Sequence, residues 1–430
     1  MARFRECRWL LLAALLASCA AVPAGSDDQL LDDVEQRTFH FFWDLADPQT
    51  LLIPDRAPTQ SFSSIAAVGF GLTAYGIGAE RGYVTRAQAA ARVLATLRAL
   101  LANTAATHNG FYYHFLDMHT GRRFKDVELS TIDSALLFAG ALFCQSYFDR
   151  DDATEKAIRD AAEELYARAD WTWAQPRPPL VAMGWYPEKG MHDWDWRGYN
   201  EAMILYVLAL GSPTHAIEPR AWSEYTKTYK WGTFYGQSHV LFAPLFGHQY
   251  SHVWIDFRGI RDEFMRAHGL DYFENSRRAT LAQRAYAIDN PVHWRDYGAD
   301  LWGLTACDGP KDEGPYHTYW ARGATAGEIR DDGTIAPTAA ASSIAFTPEL
   351  SIAAMRAMKA RPGVYDKYGF HDAFNPALNW IDVDYLGIDQ GPLLGMIENH
   401  RSGLVWRVMR KNRHIVEGLK RAGFRGGWLQ

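Results

Sequence analysis

Four segments of this chain are apolar on every side, and they constrain its fold more than anything else in the sequence. SSIAAVGFGLTAYGIG (63–78), STIDSALLFAGALF (130–143), NEAMILYVLALG (200–211) and DQGPLLGMIE (389–398) carry almost no charge beyond their first turn. A helix without a polar face cannot lie at a water-facing surface and must be enclosed by other helices. The segments between them are one-sided. Leu31, Val34, Phe41 and Leu45 share one face of 26–47, which Ser26 and Gln29 open as a capping box. Thr85 and Gln88 open a second such helix, with Val93, Leu94, Leu97 and Leu101 on one face, and 153–169 buries Ile158, Ala162 and Leu165. The order is outer 28–47, inner 63–78, outer 85–104, inner 130–146, outer 151–169, inner 200–210. It predicts an all-α double ring of helices, a toroid with long aromatic-rich loops. No Pro/Ser-rich linker divides it, so 28–412 reads as one domain and 413–430 as a C-terminal tail. The stretch 228–257 has β-branched and aromatic residues between glycines and predicts loops or a small β-hairpin near the cleft.

The N-terminus reads as an address. Arg3, Arg5 and Arg8 precede the apolar run LLLAALLAS, which is too short to span a bilayer. Leu16-Ala17-Ser18-Cys19 resembles a bacterial lipobox, so 1–18 is expected to be a lipoprotein signal peptide, Cys19 the lipidated residue and 19–27 a tether. Ala20 after the cysteine points to outer-membrane delivery, facing the periplasm or the cell surface. The net charge of -6 argues against a nucleic-acid partner. An oxidising compartment permits a Cys144–Cys307 disulfide, but Cys144 lies in an apolar run where buried free thiols are common. No CxxC, GxSxG, Walker or GxGxxG pattern is present, and no cofactor or metal is expected.

Sixteen Trp, 21 Tyr and 22 Phe exceed what a core needs, and flat rings with polar edges suit sugar ligands. The apolar helices also begin with acids: Asp133, Glu201 and Asp389. A helix N-terminus stabilises an anion, and Ser130 to Asp133 is a capping box, so structural caps explain part of this. Glu201 is harder to dismiss, because it follows Trp194, Trp196, Arg197 and Tyr199 in HDWDWRGYNEAM. Were the inner helices to start at one rim, these acids would converge as the pair of carboxyl groups that glycoside hydrolysis uses. An acid beside indoles is desolvated and suits proton donation. His248 and His252 have a spacing zinc ligands sometimes use, but no completing ligand is nearby. Asp256 and Arg258 read as an ion pair or a hydroxyl clamp. Trp302 with Asp308, and Phe370, Asp372, Phe374 and Asn375 in YGFHDAFNP, read as turns or as sugar-stacking platforms.

Five stretches carry a family resemblance: ELSTIDSALLFAGAL, RGYNEAMILYVLALGSPTHAI, FGHQYSHVWIDFRGI, YGADLWGLTACDGP and YGFHDAFNP…YLGIDQGPLLGMIENHRSGLVWR. They resemble the glycoamylase-like family, which includes bacterial endo-β-1,2-glucanases of glycoside hydrolase family 144. They are also similar to the transglycosylating domain of cyclic β-1,2-glucan synthases. The resemblance runs from about residue 30 to about 410. It implies an (α/α)6 toroid and an inverting hydrolase of β-1,2-glucan. Glu201 matches the essential glutamate, and Glu128 and Asp133 match acids at the preceding inner helix. Gln249, Tyr250, Asp256, Arg258, Trp302, Asp308, Phe370, Phe374, Asp389 and Gln390 are the further substrate-contacting candidates, beside Trp194, Trp196 and Tyr199. The expectation is a monomeric hydrolase releasing short sophoro-oligosaccharides. A sophorose-releasing exo-enzyme, a transglycosylase and a non-catalytic glycan-binding surface lipoprotein are the alternatives.

Overall fold

The computed structural model describes residues 26–310 and 318–430. The expected signal peptide, Cys19 and nearly all of the tether lie outside the described residues. The helices run in chain order as α1 (Asp27–Asp44), α2 (Ile65–Arg81), α3 (Arg86–Ala102), α4 (Thr131–Tyr147), α5 (Ala153–Ala167), α6 (Met203–Gly211), α7 (Arg220–Thr226) and α8 (Tyr250–Trp254). They continue as α9 (Glu263–His268), α10 (Tyr272–Asp289), α11 (Pro337–Ala341), α12 (Pro348–Lys359), α13 (Gly387–Arg401), α14 (Leu404–Met409) and α15 (Arg413–Arg421).

An inner ring runs α2, α4, α6, α8, α11, α13 and back to α2. The pairs α2–α4, α4–α6, α11–α13 and α13–α2 pack directly. Hydrogen bonds close the two remaining joints. Ser251 on α8 accepts from Ile204 N on α6 (3.0 Å) and donates to Glu201 O (2.8 Å). Gln249, at the start of α8, donates to Ala339 O on α11 (2.8 Å). Helices α1, α3, α5 and α12 cover the outside. This is the helix-rich (α/α)6 arrangement that the resemblance implies; among the described residues the strands are short, in pairs and one three-stranded sheet, and close no barrel.

Local signals account for most boundaries. The capping boxes at Ser26/Gln29 and Thr85/Gln88 both form. Ser130 accepts from Asp133 N (3.2 Å) and starts α4. The apolar helices approach closely because glycine faces backbone. A methyl group at Gly140 would meet Gly69 O at 2.0 Å, and one at Gly69 would meet Leu136 O at 2.3 Å. Within 228–257, Trp231–Phe234 and Gln237–Val240 form an antiparallel hairpin, whereas 250–254 turns helical as α8. The expected tail is instead structured. Its helix α15 packs on α6 across Gly211 and Gly418, and Leu429 is buried. Cys144 and Cys307 are both buried free thiols. Among the described residues no helix is long and apolar enough to cross a membrane.

One buried cluster joins α1, α2 and α13. Arg401 donates to Glu35 (2.5 Å), and Arg81 donates to Glu398 (2.6 Å) while standing 3.6 Å from Glu35. Burial, followed by the adjacent Glu398, pushes the Glu35 carboxyl up to about 9. Folded Glu35 therefore keeps a proton that the unfolded chain releases near 4.5, and stability drains away between those two values as pH rises. The slope contributed by one group is at most about 1.4 kcal/mol per pH unit. Glu35→Gln keeps a neutral acceptor for Arg401 and removes the titration. Denaturant unfolding at pH 5, 7 and 8.5 is expected to show a flatter decline in E35Q than in wild type.

Candidate active site

The N-terminal ends of five inner helices meet at a cleft of about 660 Å³. Ser64 before α2, Asp133 in α4, Glu201 before α6, Tyr250 in α8 and Ile388 in α13 all line it. Convergent helix N-termini present N–H groups and a positive dipole end, a setting that favours carboxylates.

Glu201 does not open α6, contrary to the sequence expectation. It occupies a turn two residues before Met203, and the first turn of α6 holds no acid. The orphan N–H groups are served otherwise: Asn200 Oδ1 accepts from Ala202 N (3.0 Å), and Ser251 accepts from Ile204 N. Glu201 is thus not a helix cap. Burial, opposed by a bond to its own backbone N–H and reinforced by the charge of Asp133, pushes its carboxyl up to about 7. Asp133 does take part in a cap, and Ser130 Oγ donates to its Oδ2 (2.5 Å). Glu128 stands just before the short strand Leu129–Ser130 that feeds α4. Burial acts to raise its carboxyl, but the bond to His114 holds it below the ordinary carboxylate value.

His114 lies between the two. Its Nδ1 is 2.7 Å from Glu128 Oε1 and its Nε2 is 3.5 Å from Asp133 Oδ2. Burial alone would lower the imidazole; the charges of Asp133, Glu128 and Asp55 outweigh it and raise it to about 9. The cleft therefore holds one acid that retains its proton near neutrality and two carboxyl groups on one imidazole.

The aromatic wall is partly as expected. Trp194 is 69% exposed at the rim, beside His192 (ring centroids 5.3 Å). Trp196 lines the cleft and donates from Nε1 to Thr131 Oγ1 (3.0 Å), which pins the first residue of α4 near Asp133. Tyr250 lines the cleft as well. The other candidates lie elsewhere. Tyr199 is buried among Tyr229, His248 and Tyr272, so no sugar can reach its face. Gln249 spends its amide on Ala339 and Ser343. Trp302, Phe370 and Phe374 are core residues, and Gln390 donates to Phe370 O (2.8 Å). Asp256 accepts twice from Arg258 (2.8 Å each), and that guanidinium stacks 4.2 Å from the Trp406 ring centroid, so the pair is an ion pair and not a hydroxyl clamp. His248 and His252 are buried and hold below their ordinary value; His252 bonds Ser276 (3.0 Å).

Asp308 and Asp389 belong to an acidic group behind the cleft wall. Asp55 and Arg56 line the cleft, and Arg56 Nη1 donates inward to Asp308 (2.5 Å). Asp308 N donates to Asp372 (2.7 Å). Burial first, and then the charges of Asp389 and Asp308, push Asp372 well up. Burial pushes Asp389 to about 7, with the bond to Asp372 holding it back and the charge of Asp308 adding to the rise. Asp308, Asp372 and Asp382 set one oxygen each within 4.8 Å of one another, a grouping of the kind a divalent cation can use, although Arg56 already brings positive charge to Asp308.

Sequence reasoning missed His114, Asp55 and Arg56. No periodicity marks them. Their placement comes from strand pairing: His114 N donates to Glu128 O (2.9 Å), and Arg56 pairs with Leu386 across an antiparallel bridge.

Comparison with known proteins agrees with this architecture. Residues 193–413 match the Glycoamylase family model, described as "Putative glucoamylase". An exo-β-1,2-glucooligosaccharide sophorohydrolase (non-reducing end) of Parabacteroides distasonis is 30% identical over 92% of this chain, which spans 58% of that relative's length. A crystal structure of a "putative glucoamylase" from Bacteroides uniformis is 35% identical, with a TM-score of 0.86 over 95% of this chain and 100% of its own. The endo-β-1,2-glucanase of Chitinophaga pinensis, solved with sophorotriose and glucose, is 31% identical, with a TM-score of 0.86 over 94% of this chain and 100% of its own. By the extent of the family match and the full coverage of these solved relatives, the chain belongs to the Glycoamylase family.

Proposed function

We propose that this protein is a glycoside hydrolase that cleaves β-1,2-linked glucan to short sophoro-oligosaccharides. The observation that carries the reading is Glu201. It is an acid outside any helix cap, desolvated so that it holds its proton up to about pH 7, in one cleft with the carboxyl groups of Asp133 and Glu128. Glu201 acts as general acid on the scissile oxygen, directly or through a substrate hydroxyl. Asp133, whose charge reaches Glu201, is the carboxylate that activates water; Glu128 is the runner-up. Inversion of the anomeric centre follows if that water attacks from the face opposite Glu201. Trp194 and Trp196 offer flat surfaces for glucose rings. Relatives named for β-1,2-glucan hydrolysis support the substrate. Delivery to the outer membrane through Cys19, facing the periplasm or cell surface, is part of the same reading and rests on the leader's sequence.

The test is incubation of the purified protein with linear β-1,2-glucan and, separately, β-1,3- and β-1,4-glucans, with reducing ends and product sizes followed in time. The expected result is release from the β-1,2-glucan alone, with kcat/KM falling as pH rises through about 7, where Glu201 loses its proton. No release from any glucan overturns the reading. A second mode, sophorose release from a chain end, is favoured by the name of the Parabacteroides relative. A single dimeric product from the first minutes would establish it over endo cleavage.

A further inference from the structure

We propose that His114 is a positioning residue of the cleft, an imidazolium clamp that fixes Glu128 and Asp133 relative to each other. This rests on the hydrolase reading above. Each ring nitrogen faces a carboxylate oxygen, Nδ1 toward Glu128 (2.7 Å) and Nε2 toward Asp133 (3.5 Å). A neutral imidazole would turn a lone pair toward one of them, so the arrangement is satisfied only with a proton on both nitrogens. The clamp is itself held on three sides. His114 N donates to Glu128 O (2.9 Å), His114 O accepts from Ile65 N at the start of α2 (3.1 Å), and the ring stacks on Phe115 at 3.8 Å.

The charged groups around it come from every neighbouring element. Glu128 and Asp133 belong to the segment entering α4, Asp55 and Arg56 to the segment after α1, and Glu201 to the turn before α6. His192 lines the same cleft. Acids outnumber cations here, so removing the imidazolium leaves Asp133 and Glu128 facing each other without a cation between them. Asp133 is the clearest beneficiary. Ser130 and His114 both serve its Oδ2, and among the described residues no hydrogen bond falls on Oδ1, the oxygen left for a water.

His114→Gln tests this. It retains an amide of similar reach without the charge. The expected result is kcat lowered about 10- to 100-fold with KM within about threefold, because misplacing a reacting group by about 1 Å costs up to 10²-fold. The acidic limb of the kcat/KM profile also moves up by about one pH unit, as carboxylates that lose a cation hold protons more tightly. A merely structural role would lower kcat without moving that limb. An independent readout is the NMR titration of His114 in isotope-labelled protein, identified by its absence from H114Q. The ring is expected to be doubly protonated at pH 7 in wild type and to titrate closer to neutrality in Glu128→Gln. A neutral ring at pH 7 in wild type, or an H114Q enzyme with unchanged kcat and pH profile, overturns the clamp. Wild type that cleaves no glucan overturns the hydrolase reading instead, and the NMR result then decides the clamp.

Discussion

Glu201→Gln is expected to lower kcat on the proposed substrate, β-1,2-glucan, by about 10²- to 10⁴-fold, the range general acid catalysis contributes, while KM stays within a few-fold. An amide keeps the size and hydrogen bonding of a neutral carboxyl but has no proton to give. Glu201 is held protonated near neutrality by burial, so the folded state does not depend on its charge, and E201Q is expected to unfold at or slightly above the wild-type temperature. The variant should also lose the fall in activity above about pH 7. Turnover near the wild-type value would remove Glu201 from the chemistry. Sugar binding retained without turnover in both proteins would favour a glycan-binding surface protein.

Gly140→Ala has the largest expected effect on stability. In an exposed helix this change would gain about 1 kcal/mol of helix propensity. At the α2–α4 crossing the new methyl would stand 2.0 Å from Gly69 O, which is backbone and cannot swing aside. The helices must part, at a cost of about 1–3 kcal/mol or more for a core overpacked by one carbon, and Gly140→Val costs more again. The displaced element is α4, which carries Asp133 two turns earlier, so a fall in kcat should accompany the lowered denaturation midpoint. Gly82→Ala is the control. Gly82 caps α2 at φ 75° with open space around it, and only the left-handed backbone costs it, about 1 kcal/mol. Equal losses in G140A and G82A, with kcat untouched, would show that the crossing tolerates separation.

The double ring was readable because its cause is local: a helix with no polar face announces its enclosure in its own residues. The same logic found Asp133, in the first turn of α4, and led to Glu201 and the two Trp of HDWDW in the segment ahead of α6, although Glu201 stands in a turn before that helix and does not open it. It failed for Trp302, Phe370 and Phe374, because an aromatic between turn residues looks alike whether its ring meets a sugar or the core. His114 and Arg56 were invisible for a different reason. Each owes its position to a partner far away in sequence, Arg56 to Leu386 and Asp308, and no spacing within the chain encodes that meeting. The C-terminal segment, read as a tail, instead carries α15, whose Ile415, Gly418 and Leu419 are buried beside the charged Arg413, Lys420 and Arg421.

Helix α13 closes the inner ring by lying against α1 and α2, more than 300 residues away. During synthesis at the ribosome, α2 therefore emerges with a greasy flank that stays bare until the final tenth of the polypeptide has been made. Such distant pairing makes maturation slow and leaves the growing chain adhesive. Expression hosts poor in chaperones are expected to accumulate more of this protein as aggregate.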